Sequence, residues 1–466
     1  QLELALESQK TDAELDELQK RWNQLVHKIF ERDSYFPLES GEREEIETTG
    51  KNADMAVAYL KAQPDVDSFL KVAFVRNLRL QSVKKELEAK LESYSQVTQL
   101  EDVLSQFSSF VKDLNTLAGP MQHQVSIKQS YPFPGALSLK ANIAEQEVRI
   151  VKEKYEIALR DMVTQFEEAF YEWAFFAQAI GIMEGHLRLL GELEAVASVH
   201  FRTGKGGFND VIKAQIRISK LKDDLINLKE GKGVVEAKMA QYLNLAAKFS
   251  FAPPASIPVY PLQVSVEDLY DIALKNQQEL KLLFEEIKKS RLSIELAEKK
   301  YYPDLTPGFS YFEDRKGSRV GAVKAQENFA TKPETQPLYW FGENDAYIRE
   351  AKLLHQALLK KLENHKEELL YQTKKFSFQL DKAQRAKVLY ESSLLPLAQK
   401  ALEVSVAEYK TGKTDFLSLL DAQTTLLNFG IDYQKSLKDH GQHKARLEKL
   451  IGKRLSRLEI KNESAH

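Results

Sequence analysis

Residues 200–218 read HFRTGKGGFNDVIKAQIRI, and residues 408–426 read EYKTGKTDFLSLLDAQTTL. Aligned without gaps, the two stretches share Thr-Gly-Lys, then a Phe, then Ala-Gln, at a distance of 208 residues. A duplication over nearly half of the 466-residue chain indicates two copies of one structural unit. In an oligomer, equivalent places in both copies would form rings.

Composition excludes several classes of protein. Charged residues make up 29% of the chain with a net charge of −2, which is not the basic footprint of a nucleic-acid binder. The absence of cysteine excludes disulfides, zinc–thiolate sites and a thiol nucleophile. No apolar run reaches the ~18 residues of a transmembrane helix, so a membrane role would need β-strands or a lipid anchor. The chain starts at Gln1 without a signal-peptide pattern, and we expect any such peptide to have been removed.

Long helices are predicted on both sides of each duplicated turn. Residues 136–199 contain no proline, which predicts a helix of about 95 Å at ~1.5 Å per residue. Gly204 should end it, because Gly favours the left-handed conformation after a helix C-terminus. A return helix follows to residue 247, and the cycle repeats over 343–452.

The long helices contain two local features, a proline and a run of aromatic residues. Pro396 lies inside the second long helix and should kink it, since it lacks a backbone donor. Residues 166–176 hold six aromatic side chains at helical spacing, which favours core packing over a cofactor site.

Strands are predicted between the helices. Residues 121–131 alternate apolar and polar side chains, which is the period of a strand. Further candidate strands lie at 305–313, 319–325 and 334–341. Four strands per chain leave unpaired edges, whereas the strands of three chains could close a barrel.

The predicted fold class is therefore mainly α with a small β part. Duplicated long helical hairpins would form a trimeric α-barrel tunnel, and four strands per chain would contribute to a 12-stranded β-barrel. The predicted organisation is a charged N-terminal extension (1–65), a first repeat (66–247; strand pair within 104–135, hairpin 136–247), a Pro-rich linker (248–264), a second repeat (265–453; strand pair within 303–342, hairpin 343–452) and a tail (454–466).

The motifs resemble those of the TolC family of outer-membrane efflux proteins. Besides the two turns, the run Tyr131-Pro-Phe-Pro-Gly135 followed by ALSLKANIAEQEV is similar to the post-strand motif of the heavy-metal-efflux branch. Two other stretches, YYPDLTPGFSY (301–311) and VSVEDLYDIALKNQQEL (264–280), also match. The resemblance covers roughly residues 66–453.

This resemblance implies a homotrimer in the outer membrane of a Gram-negative bacterium, with its helical part in the periplasm. Its partners would be other copies of itself, a periplasmic adaptor protein, an inner-membrane pump and outer-membrane lipid. It implies an exit duct of a tripartite efflux or type I secretion system, a passive conduit gated at its periplasmic tip.

The resemblance also assigns site residues. The turns that would dock the adaptor contain Thr203, Gly204, Lys205, Thr411, Gly412 and Lys413. By motif position, Asp210 and Asp421 match acidic residues of the constricted tip, and on a three-fold axis Asp421 would form a ring of carboxylates that attracts cations. Asp415 is a candidate helix cap whose equivalent is Gly207, so the two turns should differ.

No enzyme is predicted, since the sequence contains no nucleophile triad, phosphate loop or paired-carboxylate motif. No cofactor or metal is predicted either, because His440 and His443 share a helix face without a third ligand nearby in the sequence. An alternative function is a structural or tethering coiled-coil protein of the envelope that lost its barrel. The charged segment 313–332 favours that alternative, since lipid-facing strands tolerate charge poorly.

Overall fold

The structure is a computed structural model. It describes residues 34–36, 46, 48–97, 104–116, 119–128, 135–204, 206–246, 251, 254, 256, 257, 259, 264–299, 308–314, 317–319 and 340–455, with the backbone alone for 94–97, the strands and 340–344. The helix expected within residues 12–31 lies outside the described residues, as do most of the Pro-rich linker and the tail beyond 455.

Helices dominate the described chain. They are α1 (Ala53–Ala62), α2 (Val66–Arg76), α3 (Leu78–Val97), α4 (Ala136–Arg202), α5 (Phe208–Tyr242), α6 (Val266–Asn276), α7 (Gln278–Lys299), α8 (Trp340–Leu389), α9 (Leu395–Lys410) and α10 (Phe416–Ile451), with a π-helical segment, Tyr390–Leu394, between α8 and α9. None of the described helices is both long enough and apolar enough to cross a membrane. The predicted mainly helical fold class, with long hairpins joined at the duplicated turns, is confirmed.

The strands form one antiparallel sheet in the order β1-β2-β3-β4. They are β1 (Leu104–Thr116), β2 (Gly119–Lys128), β3 (Gly308–Asp314) and β4 (Gly317–Arg319). The β2–β3 pairing joins the strands of the two repeats, with Val125 opposite Tyr311. Closure into a barrel with other copies stays a prediction.

Two candidate strands differ from the structure. Of the stretch 319–325, only Arg319 lies in β4, and residues 320–325 lie outside the described residues. The stretch 334–341 is also outside up to residue 339, and Trp340 already begins α8. The predicted strand is therefore wrong at residues 340 and 341, because the helix already begins at Trp340.

The chain divides into two compact units that cut across the repeats. Unit 1 contains residues 1–32, 85–153 and 281–364, and unit 2 contains 33–84, 154–280 and 365–466. Each unit takes segments from both repeats, so the repeats are not separate compact bodies. The predicted domain boundaries stay a prediction.

Each repeat opens with a pair of helices broken at an amide residue. The break between α2 and α3 is at Asn77, whose Oδ1 accepts from the N–H of Leu80 (3.0 Å). The break between α6 and α7 is at Gln277, whose Oε1 accepts from the N–H of Leu280 (2.8 Å). In both places the amide caps the second helix, which satisfies a backbone donor at its first turn.

Unit 1 is held by polar contacts between its helices. The carboxylate of Glu147 on α4 lies 2.5 Å from Nζ of Lys90 and 2.6 Å from Nζ of Lys289. Both lysines hold the pKa of Glu147 below its usual value, against the effect of burial. Ser290 on α7 shares a hydrogen bond with Nδ1 of His355 on α8 (2.8 Å).

Unit 2 contains an aromatic core built on α4. Phe166, Phe170 and Trp173 are essentially fully buried, and Phe69 of α2 packs against all three rings. The predicted packing role of the 166–176 aromatics is confirmed. The sequence did not suggest that Tyr35 and Phe36, within the charged N-terminal extension, would be buried in the same core.

The second long helix is interrupted just before Pro396. The N–H of Leu395 donates to the carbonyl of Tyr390, five residues back, which defines the π turn. Pro396 has no backbone N–H to donate to the carbonyl one turn before it. Within the π segment, the Ser392 hydroxyl adds a hydrogen bond to the carbonyl of Val388 (2.7 Å). The structure shows a π segment where the sequence predicts a kink, and the kink itself stays a prediction.

Candidate functional site

The second duplicated turn ends α9 with a glycine cap. Gly412 has φ +75°, and its N–H donates to the carbonyl of Tyr409 (3.1 Å). The N–H of Lys413 donates to the carbonyl of Glu408 (2.9 Å). These two bonds form a Schellman motif, which satisfies carbonyls that the last helical turn leaves free.

The first turn repeats this geometry after α4. Gly204 has φ +69°, and its N–H donates to the carbonyl of Phe201 (3.1 Å). Thr203 and Thr411 also match, because each hydroxyl bonds to the carbonyls three and four residues back. Lys205 lies outside the described residues. The expected left-handed conformation of both glycines is confirmed.

The helices that follow the turns are capped differently, as predicted. Asp415 accepts from the N–H of Ser418 (3.0 Å) and caps α10, and hydrogen bonds from Ser418 hold the pKa of Asp415 below its ordinary value. At the equivalent place Gly207 begins α5 without a side-chain cap. The charge of Lys213 on α5 also lowers the pKa of Asp415, so the two hairpins are close at their ends.

A pair of aromatic rings lies beside each turn. Tyr409 and Phe416 have ring centroids 5.2 Å apart and are 5% and 1% exposed. Phe201 and Phe208 hold the equivalent positions 208 residues earlier, with centroids 5.1 Å apart, but are 45% and 55% exposed. The alignment of the two turns already pairs these aromatic positions, but it does not show which of the two ring pairs is buried.

The two turns lie side by side within unit 2. The ring of His200, beside the first turn, is 5.0 Å from that of Tyr409, beside the second. Burial and then the charge of Asp210 raise the pKa of Tyr409, which places Asp210 near the second turn as well. Below the turns, α4, α5, α9 and α10 share one apolar cluster that includes Leu193, Val211, Leu402 and Leu419.

Polar contacts continue between the hairpins away from the turns. Arg217 donates from Nη2 to the hydroxyl of Thr424 (3.0 Å), and Gln423 hydrogen-bonds Nδ1 of His186 (3.0 Å). The duplicated glutamines again differ, because Gln423 is buried whereas the equivalent Gln215 is exposed and donates to Glu194 (2.9 Å). A cavity of about 470 Å³ lies nearby, lined by His186, Leu189, Gln399, Leu402, Glu403 and Leu426 among others.

The predicted constriction residues lie on different helices. Asp210 is half-buried in the first turn of α5, and Asp421 is exposed on α10. A ring of carboxylates needs other copies of the chain, so the constriction stays a prediction. His440 is buried, and burial lowers its pKa to about 4, while the described residues contain no group of three or more metal-ligating side chains.

One protein-family model matches part of the chain. Residues 269–453 match the family model described as outer membrane efflux protein. No curated protein sequence matches the chain. The family match covers the second repeat from α6 to the end of α10.

Solved structures of outer-membrane channels share the fold. The outer-membrane channel OprN matches with a TM-score of 0.69 at 13% identity, covering 85% of this chain and 91% of OprN. The outer membrane protein VceC from Vibrio cholerae gives 0.68 at 14% identity, covering 86% and 99%. The open-state MtrE outer membrane channel of Neisseria gonorrhoeae gives 0.65 at 15% identity, covering 84% and 90%.

Together these findings show that the chain has the fold of outer-membrane channel proteins. Residues 269–453 match the outer membrane efflux protein family, and the fold of solved outer-membrane channels extends over most of the chain. The predicted resemblance to this family is confirmed over residues 269–453, and the matches agree with the predicted outer-membrane location.

Proposed function

We propose that three copies of this chain form a passive exit duct, gated at the end where the duplicated turns lie. A periplasmic adaptor would dock on those turns, and an inner-membrane pump would supply the energy of a tripartite efflux or type I secretion system. The observation that carries this proposal is the pair of matching glycine-capped turns, brought side by side by the contact between His200 and Tyr409.

Exposed apolar side chains support assembly with other copies. A stripe on α8 and α9, which we call the α8–α9 stripe, contains Tyr371, Phe378, Leu397 and Val404, each more than half exposed. Large exposed apolar side chains repeated along one helix are typical of an interaction site. Packing against a neighbouring chain would remove the stripe from water, and the strands of three chains would then be available to close a barrel.

The proposed gate consists of carboxylates near the turns. Asp421 from three copies would form one ring, and Asp210, near Tyr409, would lie close to the turns. Three carboxylates around one axis would attract cations at a narrow point. The Pro-Phe-Pro-Gly motif at 132–135 supports a place in the heavy-metal-efflux branch.

Reconstitution separates this proposal from the tethering alternative. The purified protein in mild detergent should have the mass of a trimer by light scattering, and planar bilayers containing it should show discrete conductance steps. An envelope tether without a barrel would give no conductance at any protein concentration. A monodisperse monomer would contradict the trimeric duct directly.

A further inference from the structure

The cavity of about 470 Å³ lies between α4, α9 and α10, and the proposed duct does not use it. Its walls are mainly apolar and include Leu189 of α4, Leu402 and Val406 of α9 and Leu426 of α10. Apolar walls with a few polar groups, in a volume of roughly 300–1,000 Å³, are typical of small-molecule sites. A helix about 10 Å across would fill this volume with roughly one turn, so the cavity fits a small molecule better than a protein segment.

The polar groups of the cavity come from two helices. His186 of α4 has Nδ1 3.0 Å from Nε2 of Gln423, and burial lowers the pKa of His186, so its ring is neutral at pH 7. On α9, Gln399 donates from Nε2 to the carboxylate of Glu403 (3.1 Å). Among the described residues, Glu403 forms no ion pair and is the only charged side chain that lines the cavity. The cavity therefore carries one unpaired negative charge at its edge.

The cavity lies on the opposite side of α9 from the α8–α9 stripe. Val406 comes nine residues after Leu397, which is two and a half α-helical turns of about 3.6 residues, so the two side chains point in opposite directions. Gln399 and Val406 are seven residues apart and share the cavity side. Assembly with another copy through the stripe would leave the cavity accessible.

We propose that this cavity binds an amphipathic organic cation, an amine carried on an aromatic or alkyl body. The body lies against Leu189, Leu402 and Leu426, which removes apolar surface from water. The ammonium group donates charge-assisted hydrogen bonds to Glu403. An anionic ligand would meet the same carboxylate with no cation to offset it. This inference goes beyond the proposed duct and requires neither a trimer nor conductance.

Three probes with the same naphthalene ring test the class of ligand. They are 1-naphthylmethylamine, 1-naphthalenemethanol and 1-naphthoate, which are cationic, neutral and anionic at pH 7. Calorimetric titration of the purified full chain in mild detergent, with protein-free micelles as the blank, should give one site per chain. The amine should bind about two- to fivefold more tightly than the alcohol, the gain from one partly exposed charge pair, and the carboxylate should bind most weakly. Equal affinities for amine and alcohol, or no binding of the amine, would overturn the inference.

A glycine that lines the cavity allows it to be filled. An added Cβ at Gly185 has open space around it, so Gly185→Leu should occupy the cavity, keep the helix and abolish binding of all three probes. Gly191→Leu is the matched control, because Gly191 is a half-buried glycine of the same helix with open space around it, outside the cavity lining. Circular dichroism checks that both variants are folded. Unchanged binding of the amine by folded Gly185→Leu would place the probe elsewhere and contradict the proposal.

Removing the charge tests the role of Glu403 without filling the cavity. Glu403→Gln should bind the amine no more tightly than the alcohol, while its affinity for the alcohol stays as in the unaltered chain. Glu367→Gln, at an exposed carboxylate of α8, should keep the preference for the amine. A preference that survives in Glu403→Gln would contradict the assigned contact.

Light scattering on the same samples keeps this inference separate from the proposed duct. A trimer that conducts in bilayers but binds no amine would overturn the inference and leave the duct standing. A monomer that binds the amine, with loss of binding in Gly185→Leu, would overturn the duct and leave the cavity site standing.

Discussion

Nη2 of Arg454 donates to Oε1 of Glu167 at 2.9 Å, and the other terminal nitrogen of Arg454 bonds to Asp67 at 3.0 Å. Burial raises the pKa of Glu167 to about 7 although Arg454 opposes the shift, and the nearby charges of Glu448 and Lys444 act in opposite directions. Burial raises the pKa of Glu448 as well. This ion pair holds the end of α10 against α4 and α2.

The raised pKa of Glu167 predicts a protein that gains stability on mild acidification. A carboxyl whose pKa is higher in the folded state than in the unfolded state binds protons on folding, so stability rises as pH falls from about 7 towards about 4.5. We expect a gain of about 1–3 kcal/mol from this group. Urea unfolding in detergent at pH 8 and at pH 5.5 measures this gain in the free energy of unfolding. The Glu167→Gln variant should show a smaller difference between the two pH values.

Glu184→Gln serves as the matched control, because Glu184 forms an ion pair with Lys229 in which both side chains are about half exposed. Glu184→Gln should show the same pH dependence of stability as the unaltered chain. Equal slopes in the unaltered chain and in Glu167→Gln would show that the buried pair does not control this pH range.

A β-branched residue at the second turn should disturb the tip and little else. Gly412 has φ +75°, so Gly412→Val should strain the turn by about 1–3 kcal/mol. Trimers should still assemble but fail to support efflux. Gly233→Val is the control, since Gly233 is exposed in α5, has ordinary backbone angles and has open space around an added Cβ. Efflux in cells and light scattering on purified protein give the two readouts, and normal efflux by Gly412→Val would place docking elsewhere.

The different caps of α5 and α10 predict opposite effects of substitution. Asp415→Ala removes the acceptor for the N–H of Ser418 and should lower the free energy of unfolding. Gly207→Asp should gain a few tenths of a kcal/mol at most, because Gly207 already has the extended backbone of a cap and room for a side chain. Urea unfolding of both variants checks the signs, and two losses of equal size would contradict the capping role.

The proposed constriction predicts a change in ion selectivity. If Asp421 lines a ring in the trimer, Asp421→Ala removes three mutually repelling carboxylates and should reduce the preference for cations in planar bilayers. Asp223→Ala, an exposed aspartate on α5, should leave selectivity as it was. Equal selectivity in all three proteins would move the constriction away from Asp421.

The sequence predicted those features of the fold that depend on a local pattern of residues. The duplication located both turns and the left-handed glycines, since a helix followed by Thr-Gly-Lys needs a residue that tolerates positive φ. The aromatic spacing at 166–176 likewise predicted packing, because helical periodicity places those rings on shared faces.

Contacts between distant segments could not be predicted in the same way. Arg454 meets Asp67 across most of the chain, and Tyr35 enters a core built on α4, where no local pattern links the partners. The unequal burial of the two aromatic pairs also depends on which hairpin covers which. The sequence repeats the rings, but only the packed structure distinguishes Phe201 from Tyr409.

The π segment at Tyr390–Leu394 sets the rotational phase of everything after it. Phe378 and Leu397 are nineteen residues apart, one more than five α-helical turns of about 3.6 residues. The π turn absorbs that extra residue, because its hydrogen bond spans five residues instead of four, and the α8–α9 stripe therefore stays on one side of the helix. Deleting one residue there would leave eighteen residues, or five regular α-helical turns, between Phe378 and Leu397 and should keep the stripe in phase, whereas inserting one would rotate Leu397 and Val404 by about 100° from Phe378. The number of residues before Pro396 is thus as important to the stripe as their identity.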